Sequence, residues 1–388
     1  MCPVNAIEMQ NKTGWYRPHI DVTQCIECDL CKRICPANNK EHIVNNLHMP
    51  QECYAAWCKD DIRHYESASG GLATLISEKF IESGGIVAGV KFDNKHCEAM
   101  HLLAEKMDEV SNFAKSKYIQ SNKTGFWKSL FDADINKPVL FIGVGCEVNA
   151  FKKFIEINRN KLGINRTFYC IDLLCRGGSS SLVFQRHIDE LNLDDKVDNV
   201  TFRGGKYDCK FTIYRKDKII YQESQFEDIY FSEFMRHSIY ASSCYKCPFA
   251  KSERGGDITL ADFWGLSEEI AVKADGRGIN LLLVNTKNGQ ELLNSIKDEI
   301  NLFERPFGEA VAGNETLCCP TEKPVGRDEL WNYIPQIGFH KAARQVYSSY
   351  YQQVERRKLK RMIRSKLKHV IPKKLYEYLK RLKDMIRT

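Results

Sequence analysis

The sequence predicts a mixed α/β (α+β) protein with three parts: a small cysteine-rich module, a larger α/β body and a basic helical tail. Three observations carry that prediction. Four closely spaced cysteines stand near the start of the chain. Through its middle, short apolar runs of strand length interleave with a helix-periodic stretch. Charge is segregated: residues 341–388 hold 16 Lys/Arg against three Asp/Glu, while the rest of the chain is mildly acidic.

At 388 residues and 43% apolar composition the chain is long enough for two or three domains with a sizeable core. No run approaches the roughly 18–20 apolar residues that span a bilayer. The N-terminus lacks the basic-then-apolar pattern of an export signal. A cytoplasmic protein is therefore expected, at most peripheral at the inner face of the membrane. In a reducing compartment the 16 cysteines point to metal or redox chemistry rather than disulfides. The net charge of +7 arises in the tail, and no nucleic-acid partner is expected for the chain.

The first element, residues 1–40, is read from CIECDLCKRICP at 25–36: Cys25, Cys28, Cys31 and Cys35, then Pro36. This is the C-x2-C-x2-C-x3-C-P run of bacterial ferredoxins. Two intervening residues let three thiolates of one loop converge on a compact cluster. In two-cluster ferredoxins the fourth cysteine ligates the other cluster, and Cys2, followed by Pro3, is placed as such a crossed-over ligand. Cys2, Cys25, Cys28 and Cys31 are thus expected to hold one [4Fe–4S] cluster. Cys35 is expected to serve a further cluster whose other ligands would lie upstream of Met1, which makes the module a truncated one; otherwise Cys35 is a free thiol. The rival is a zinc knuckle on Cys25, Cys28, Cys31 and Cys35, although zinc motifs usually pair two C-x2-C halves across a longer gap.

Residues 41–62 lack periodicity and read as a connector. The body follows as 63–140 and 141–310. In it GGLATLISEKFIESGG sets Leu72, Leu75, Ile76 and Phe80 on one helical face. GIVAGVKF, KPVLFIG, FYCIDLLC, DITLADFWG and INLLLVN read as strands bounded by Gly, Pro or polar residues. Cys146 and Cys175 each end an apolar run beside glycines, where the carboxyl ends of strands open a ligand crevice. Cys244 and Cys247 form a C-x2-C pair, whose spacing alone leaves metal site and redox dithiol equally open. Cys53, Cys58, Cys97, Cys170 and Cys209 lack partners at ligand spacing, and the vicinal Cys318–Cys319 receives no role. In the tail (341–388), Leu359, Met362, Ile363, Leu367 and Val370 make one apolar stripe. Pro372 interrupts it, and Leu375, Leu379, Leu382 and Ile386 begin another. Two short basic amphipathic helices are expected. They would either dock on anionic membrane or an acidic partner, or pack as solvated helices against the body.

Seven stretches in order carry a resemblance: SASGG (67–71), SKYIQS (116–121), GVGCEV (143–148), DLLCRGGSS (172–180), FRGGKY (202–207), SSCYKCPFA (242–250) and RGGDITLADFWG (254–265). From about residue 1 to 310 the chain resembles the beta-subunit family of coenzyme F420 hydrogenases and dehydrogenases. The resemblance implies FAD in the body and a [4Fe–4S] cluster on Cys146, Cys175, Cys244 and Cys247. With the ferredoxin-like module, two clusters are expected in this chain, and a third if an upstream segment exists. Ser69, Gly70 and Gly71 are implied flavin contacts, since backbone N–H groups at a Gly-rich helix start suit a pyrophosphate; without the resemblance they read as an ordinary cap. Lys117, Tyr118, Gln120 and Ser121 follow as further contacts, against a solvated loop as the plain alternative. Arg203 and Lys206 are candidates for a phosphate, against an exposed surface cluster, and Asp262 and Trp264 end a strand where a ligand would sit, against core packing for the Trp. Two departures stand out. Val144-Gly145-Cys146 replaces the family's usual Thr-Pro-Cys, and Cys175-Arg176-Gly177 replaces Cys-His-Gly.

The implied activity is a flavin- and iron–sulfur-dependent oxidoreductase. It would couple one-electron transfer through clusters to two-electron hydride chemistry on a small organic substrate or coenzyme F420 itself. No side-chain acid or base is assigned. The implied partner is a redox protein, either a ferredoxin-like donor or a partner subunit. Two rival readings remain: an electron-transfer subunit that relays electrons without its own substrate, and a zinc-bound scaffold.

Overall fold

The computed structural model describes residues 2–11, 14–35, 47–193, 197–203 and 209–370, with side chains as far as 363. Pro36, Lys206, Pro372 and the second tail stripe (Leu375, Leu379, Leu382, Ile386) lie outside the described residues. The chain divides into two compact units, Met1–Val325 and Gly326–Thr388.

The first unit contains, in chain order, β1 (Ile7–Gln10), β2 (Arg17–Ile20), β3 (Glu52–Cys58), β4 (Ile86–Asp93), β5 (Glu98–Ala104), β6 (Ser121–Asn122), β7 (Val139–Val144), β8 (Phe168–Leu173), β9 (Asn199–Thr201), β10 (Lys210–Arg215), β11 (Lys218–Ser224), β12 (Ile258–Asp262), β13 (Asn280–Val284) and β14 (Ile300–Glu304). Nine of them form one mixed sheet in the order β14-β3-β13-β12-β8-β7-β4-β5-β6. Its centre is parallel: β12 with β8, β8 with β7, and β7 with β4. The mixed α/β architecture expected from the sequence is therefore the one observed, and all five strand-length runs are strands of this sheet.

Alternation along the strands splits the core into two faces. From β4, Val87 faces one side with Leu140, Ile171, Ile258 and Leu282, and there the helix Leu72–Glu82 buries Leu72, Leu75, Ile76 and Phe80. Ile86 and Ala88 face the other side with Phe141, against Val148, Phe151 and Phe154 of the helix Gly145–Leu162. The sheet is thus covered on both faces, as strands with no polar side require.

The connector reading of 41–62 is corrected by β3, which lies inside the sheet between β14 and β13. Cys53, Ala55 and Trp57 pack on one face and Ala56 and Cys58 on the other. A strand buried on both sides shows no polar–apolar alternation, and its small residues weaken the apolar signal further.

The N-terminal module is a β1–β2 hairpin followed by a short helix, Leu30–Ile34. It is seated on the body. Asn11 Nδ2 donates to Ser181 Oγ at 2.9 Å, Ser180 Oγ donates to the Gly14 carbonyl at 2.8 Å, and the Tyr16 N–H donates to Gln120 Oε1 at 3.1 Å. The Tyr16 hydroxyl donates to Glu98. Ile34 is buried in the same cluster as Val148 and Phe151.

The second unit holds the helices Arg327–Ile337, Phe339–Val346 and Ser348–Val370. The tail domain therefore begins at 326 rather than 341, and its first apolar stripe rides on one continuous helix of 23 residues. Leu359, Met362 and Ile363 of that stripe are exposed. Among the described residues no helix is long and apolar enough to cross a membrane.

Candidate functional site

The loop Cys25–Cys31 and the chain start close around a cavity of about 310 Å³ lined by Cys2, Cys25, Cys28 and Cys31, together with Pro3, Ala6, Ile7, Ile20 and Ile26. Asp29, at the mouth of the short helix, adopts a left-handed conformation (φ 57°) that turns the loop back on itself. The Ala6 N–H donates to Cys2 Sγ at 3.3 Å. Cys2, Cys25, Cys28 and Cys31 thus share one cavity, and Cys35 is not among its lining residues. Cys28 is exposed, which puts this pocket at the protein surface.

A second thiol group gathers at the carboxyl ends of the central strands. Cys146 follows β7 as the second residue of its helix, Cys175 follows β8, and Cys244 and Cys247 sit on and just after a 3-10 turn at Ser242–Lys246. Cys146 lies within electrostatic reach of Cys175 and Cys247, and Cys175 within reach of Cys244 and Cys247. Cys146 is exposed by surface area yet surrounded by protein, as expected for a side chain lining a concavity. Burial, followed by Glu147 and the neighbouring cysteines, pushes its thiol up; burial and the other two cysteines push up Cys175. Backbone N–H groups face the sulfurs. Gly178 N–H donates to Cys244 Sγ at 3.4 Å, Gly177 serves Cys175, and Phe249 and Ala250 serve Cys247. Four thiols, three of them met by backbone N–H donors, match the donor set of an iron–sulfur cluster, whose potential such hydrogen bonds tune.

Zinc demands closer sulfurs. Tetrahedral coordination at 2.3 Å requires them about 3.8 Å apart. Among the described residues the set of His, Cys, Asp or Glu ligand atoms drawn within 4.8 Å of one another is Asp93, His96 and Glu98 on the β4–β5 hairpin; neither cysteine group is drawn in so tightly.

The remaining predicted residues part company. Gly71 caps the helix Leu72–Glu82 in the left-handed region (φ 86°). A Cβ on Gly70 would meet the Ala56 carbonyl at 2.5 Å and Asn280 Oδ1 at 2.8 Å, so only glycine fits against β3 and β13. Arg203 joins this loop to two other candidates. Its Nη1 donates to Asp262 Oδ2 at 2.5 Å and to the Ala68 carbonyl at 3.3 Å, and its guanidinium lies 5.8 Å from the Tyr118 ring centre. Tyr118 packs among Phe202, Phe231 and Phe234, and burial raises its hydroxyl to about 12. Ser69 Oγ and Arg203 Nε are buried with no hydrogen-bond partner among the described residues. Two orphaned polar atoms beside a Gly-rich helix start fit an anionic, phosphate-bearing ligand. Trp264, two residues after Asp262, is exposed.

Three of the predicted flavin contacts have other occupations. Lys117 Nζ donates to the carbonyls of Asn112, Phe113 and Ala114 at 3.2, 2.9 and 2.5 Å, closing the C-terminal end of the short helix Met107–Ser111; burial, with Lys115 adding to it, lowers its pKa to about 7. Gln120 holds the N-terminal module, as described above. Ser121 belongs to a buried network beside Cys146 that sequence reasoning missed. Its Oγ donates to Glu147 Oε1 at 2.9 Å and lies 3.2 Å from His101 Nδ1, while Lys123 pairs with Glu147. Burial opposes ionisation of Glu147, but Lys123 and then His101 outweigh it and hold the carboxyl down to about 2. Burial lowers His101 to about 4. The available signal was Glu147 standing next to Cys146 in GVGCEV.

Fold and site together define a mixed-sheet α/β protein with two groups of four cysteines, the first lining a cavity, and an anion-suited loop between strands. Residues 136–309 match the family described as the carboxyl-terminal part of the coenzyme F420 hydrogenase/dehydrogenase beta subunit. The chain is 22% identical over 295 residues to the coenzyme F420-dependent sulfite reductase of Methanocaldococcus jannaschii, covering 71% of this chain and 42% of that protein. It thus spans about two fifths of the length of the curated relative it matches. A chain of the F420-reducing [NiFe] hydrogenase complex from Methanosarcina barkeri shares the fold with a TM-score of 0.50 at 17% identity, over 81% of this chain and 94% of that one.

Proposed function

We propose that the protein is an F420-linked type of iron–sulfur flavoprotein oxidoreductase. In this reading Cys2, Cys25, Cys28 and Cys31 hold one [4Fe–4S] cluster, and Cys146, Cys175, Cys244 and Cys247 hold another. FAD lies along Ser69–Gly71 with Arg203 toward its phosphates. The observation that carries the reading is the meeting of Cys146, Cys175, Cys244 and Cys247 from three separate chain segments, with backbone N–H groups directed at the sulfurs of Cys175, Cys244 and Cys247.

When bound, a flavin exchanges an electron pair with an organic substrate and single electrons with iron–sulfur centres. The chain's own contributions are positional and electrostatic. Arg203 neutralises negative charge beside the Gly-rich loop, and Asp262 fixes its guanidinium. Gly70 and Gly71 let the loop pack against Ala56, Asn280 and Cys58, where any Cβ would clash, and so hold its backbone N–H groups in place. The Lys123–Glu147 pair keeps a fixed dipole next to Cys146. The substrate is either the deazaflavin coenzyme or another small hydride carrier, and the electron partner is a separate redox protein or subunit meeting the exposed Cys28 rim.

The test is anaerobic purification with iron, sulfide, zinc and flavin assays. About eight iron atoms and one flavin per chain are expected. A colourless zinc protein without flavin would sink the reading. Turnover of reduced coenzyme F420 with a one-electron acceptor by the isolated chain separates an enzyme from a relay subunit, which would need its partner.

A further inference from the structure

Arg254 is 2% exposed and its partner Asp172 fully buried. Asp172 lies on β8, three residues before Cys175, and its Oδ2 is 2.7 Å from Nη2 of Arg254. The other arm of the guanidinium faces a different segment. Nη1 donates to the carbonyls of Phe249 and Lys251 at 2.9 and 3.2 Å, two and four residues after Cys247. A third cysteine-bearing segment closes on the same spot. A Cβ on Gly145, the residue before Cys146, would lie 3.1 Å from Phe249 Cβ and 3.7 Å from Arg254 Nη2. The backbone of Arg254 is itself anchored by two hydrogen bonds with His48, at 2.8 and 2.9 Å.

An ion pair this deep is not explained by stability, since well-packed apolar residues commonly serve as well. What a buried arginine supplies and a hydrocarbon cannot is a rigid planar fork that reaches acceptors on separate elements at set angles. We propose that Arg254 is a positioning residue for the second cluster, fixing the spacing of Cys146, Cys175 and Cys247 by clamping β8 to the Cys244–Cys247 loop. The inference rests on the cluster assignment of the preceding section. Arg254 acts through Asp172 and the Phe249 and Lys251 carbonyls. The first pocket, with its own loop, serves as an internal reference.

The experiment uses the full chain, purified without oxygen, with iron and sulfide content, electron paramagnetic resonance of the reduced protein, and midpoint potentials as readouts. Cys244→Ser/Cys247→Ser defines the appearance of the protein without its second cluster. Arg254→Met is expected to lose about four iron atoms per chain and the second cluster's signal while keeping the first. Arg254→Lys, which retains the charge but not the fork, is expected to keep the second cluster with a shifted potential. Asp172→Leu/Arg254→Met removes the buried charge pair and is expected to melt near the parent yet still lack the second cluster. Full occupancy with an unshifted potential in Arg254→Met or in the double variant overturns the proposal. If the methionine variants do not fold, an unshifted potential in Arg254→Lys overturns it instead. A Cys244→Ser/Cys247→Ser protein indistinguishable from the parent in iron and spectrum overturns the cluster assignment itself, and this proposal with it.

Discussion

Arg203 meets three parts of the chain at once: the Ala68 carbonyl, Asp262 and the Tyr118 ring. Its loss removes a charge-assisted contact of the kind worth about 1.5–3 kcal/mol. Arg203→Met should therefore weaken FAD binding roughly tenfold or more, read as flavin retained per chain and by titration of the stripped protein. Cys244→Ser/Cys247→Ser should cost about four iron atoms per chain without touching the Cys2 and Cys25–Cys31 pocket. At this scale the first cysteine group stood out because thiols of one loop lie close in sequence, and Cys146 and Cys175 because they end apolar runs beside glycines. Their grouping with Cys244 and Cys247 came from the family resemblance. Arg254 and the Lys123–Glu147 pair were not legible. Nothing local marks which distant carboxylate or carbonyl a long basic side chain will reach, and Lys117 illustrates the converse: a residue in a motif-bearing stretch spent on three nearby carbonyls.

Elements recorded themselves in the sequence according to how they are buried. The helix Leu72–Glu82 has one wet face and so a clear period, whereas β3 is dry on both sides and left no alternation. The small antiparallel sheet β11-β10-β9 also escaped notice; β9 spans only three residues and β11 is largely solvent-facing. The turn into the helix Leu72–Glu82 offers a sharp test. Gly71→Ala would place a Cβ at φ 86°, 2.9 Å from Cys58 Sγ and 3.0 Å from Ser67 Oγ. The left-handed conformation alone costs about 1–2 kcal/mol, so a melting point lower by a few degrees is expected, together with reduced flavin content. Gly84, also at positive φ but with open space around it, should show the backbone penalty alone and no flavin loss when changed to alanine.

For the whole molecule, charge and fold divide the chain at nearly the same place. The acidic body is one unit and the basic helices another, with the boundary at Gly326. Composition placed that boundary 15 residues late (341 against 326) because the first helix of the unit, Arg327–Ile337, is not basic. Leu359, Met362 and Ile363 stay exposed on a helix dense in Lys and Arg. The full-length protein should accordingly sediment with vesicles containing anionic lipid at low salt and be released at high salt, but not with neutral vesicles. Absence of any salt-sensitive binding would leave the helices a solvated appendage. The seating of the N-terminal module bears on speed rather than affinity. Held by Asn11, Gly14, Tyr16 and the buried Ile34, it is no swinging arm that must find its contact by diffusion before each turnover. In the proposed two-cluster reading the internal gap an electron would cross is constant, so that step should proceed at the same rate in buffer and in viscous glycerol solution, while arrival of the external partner slows.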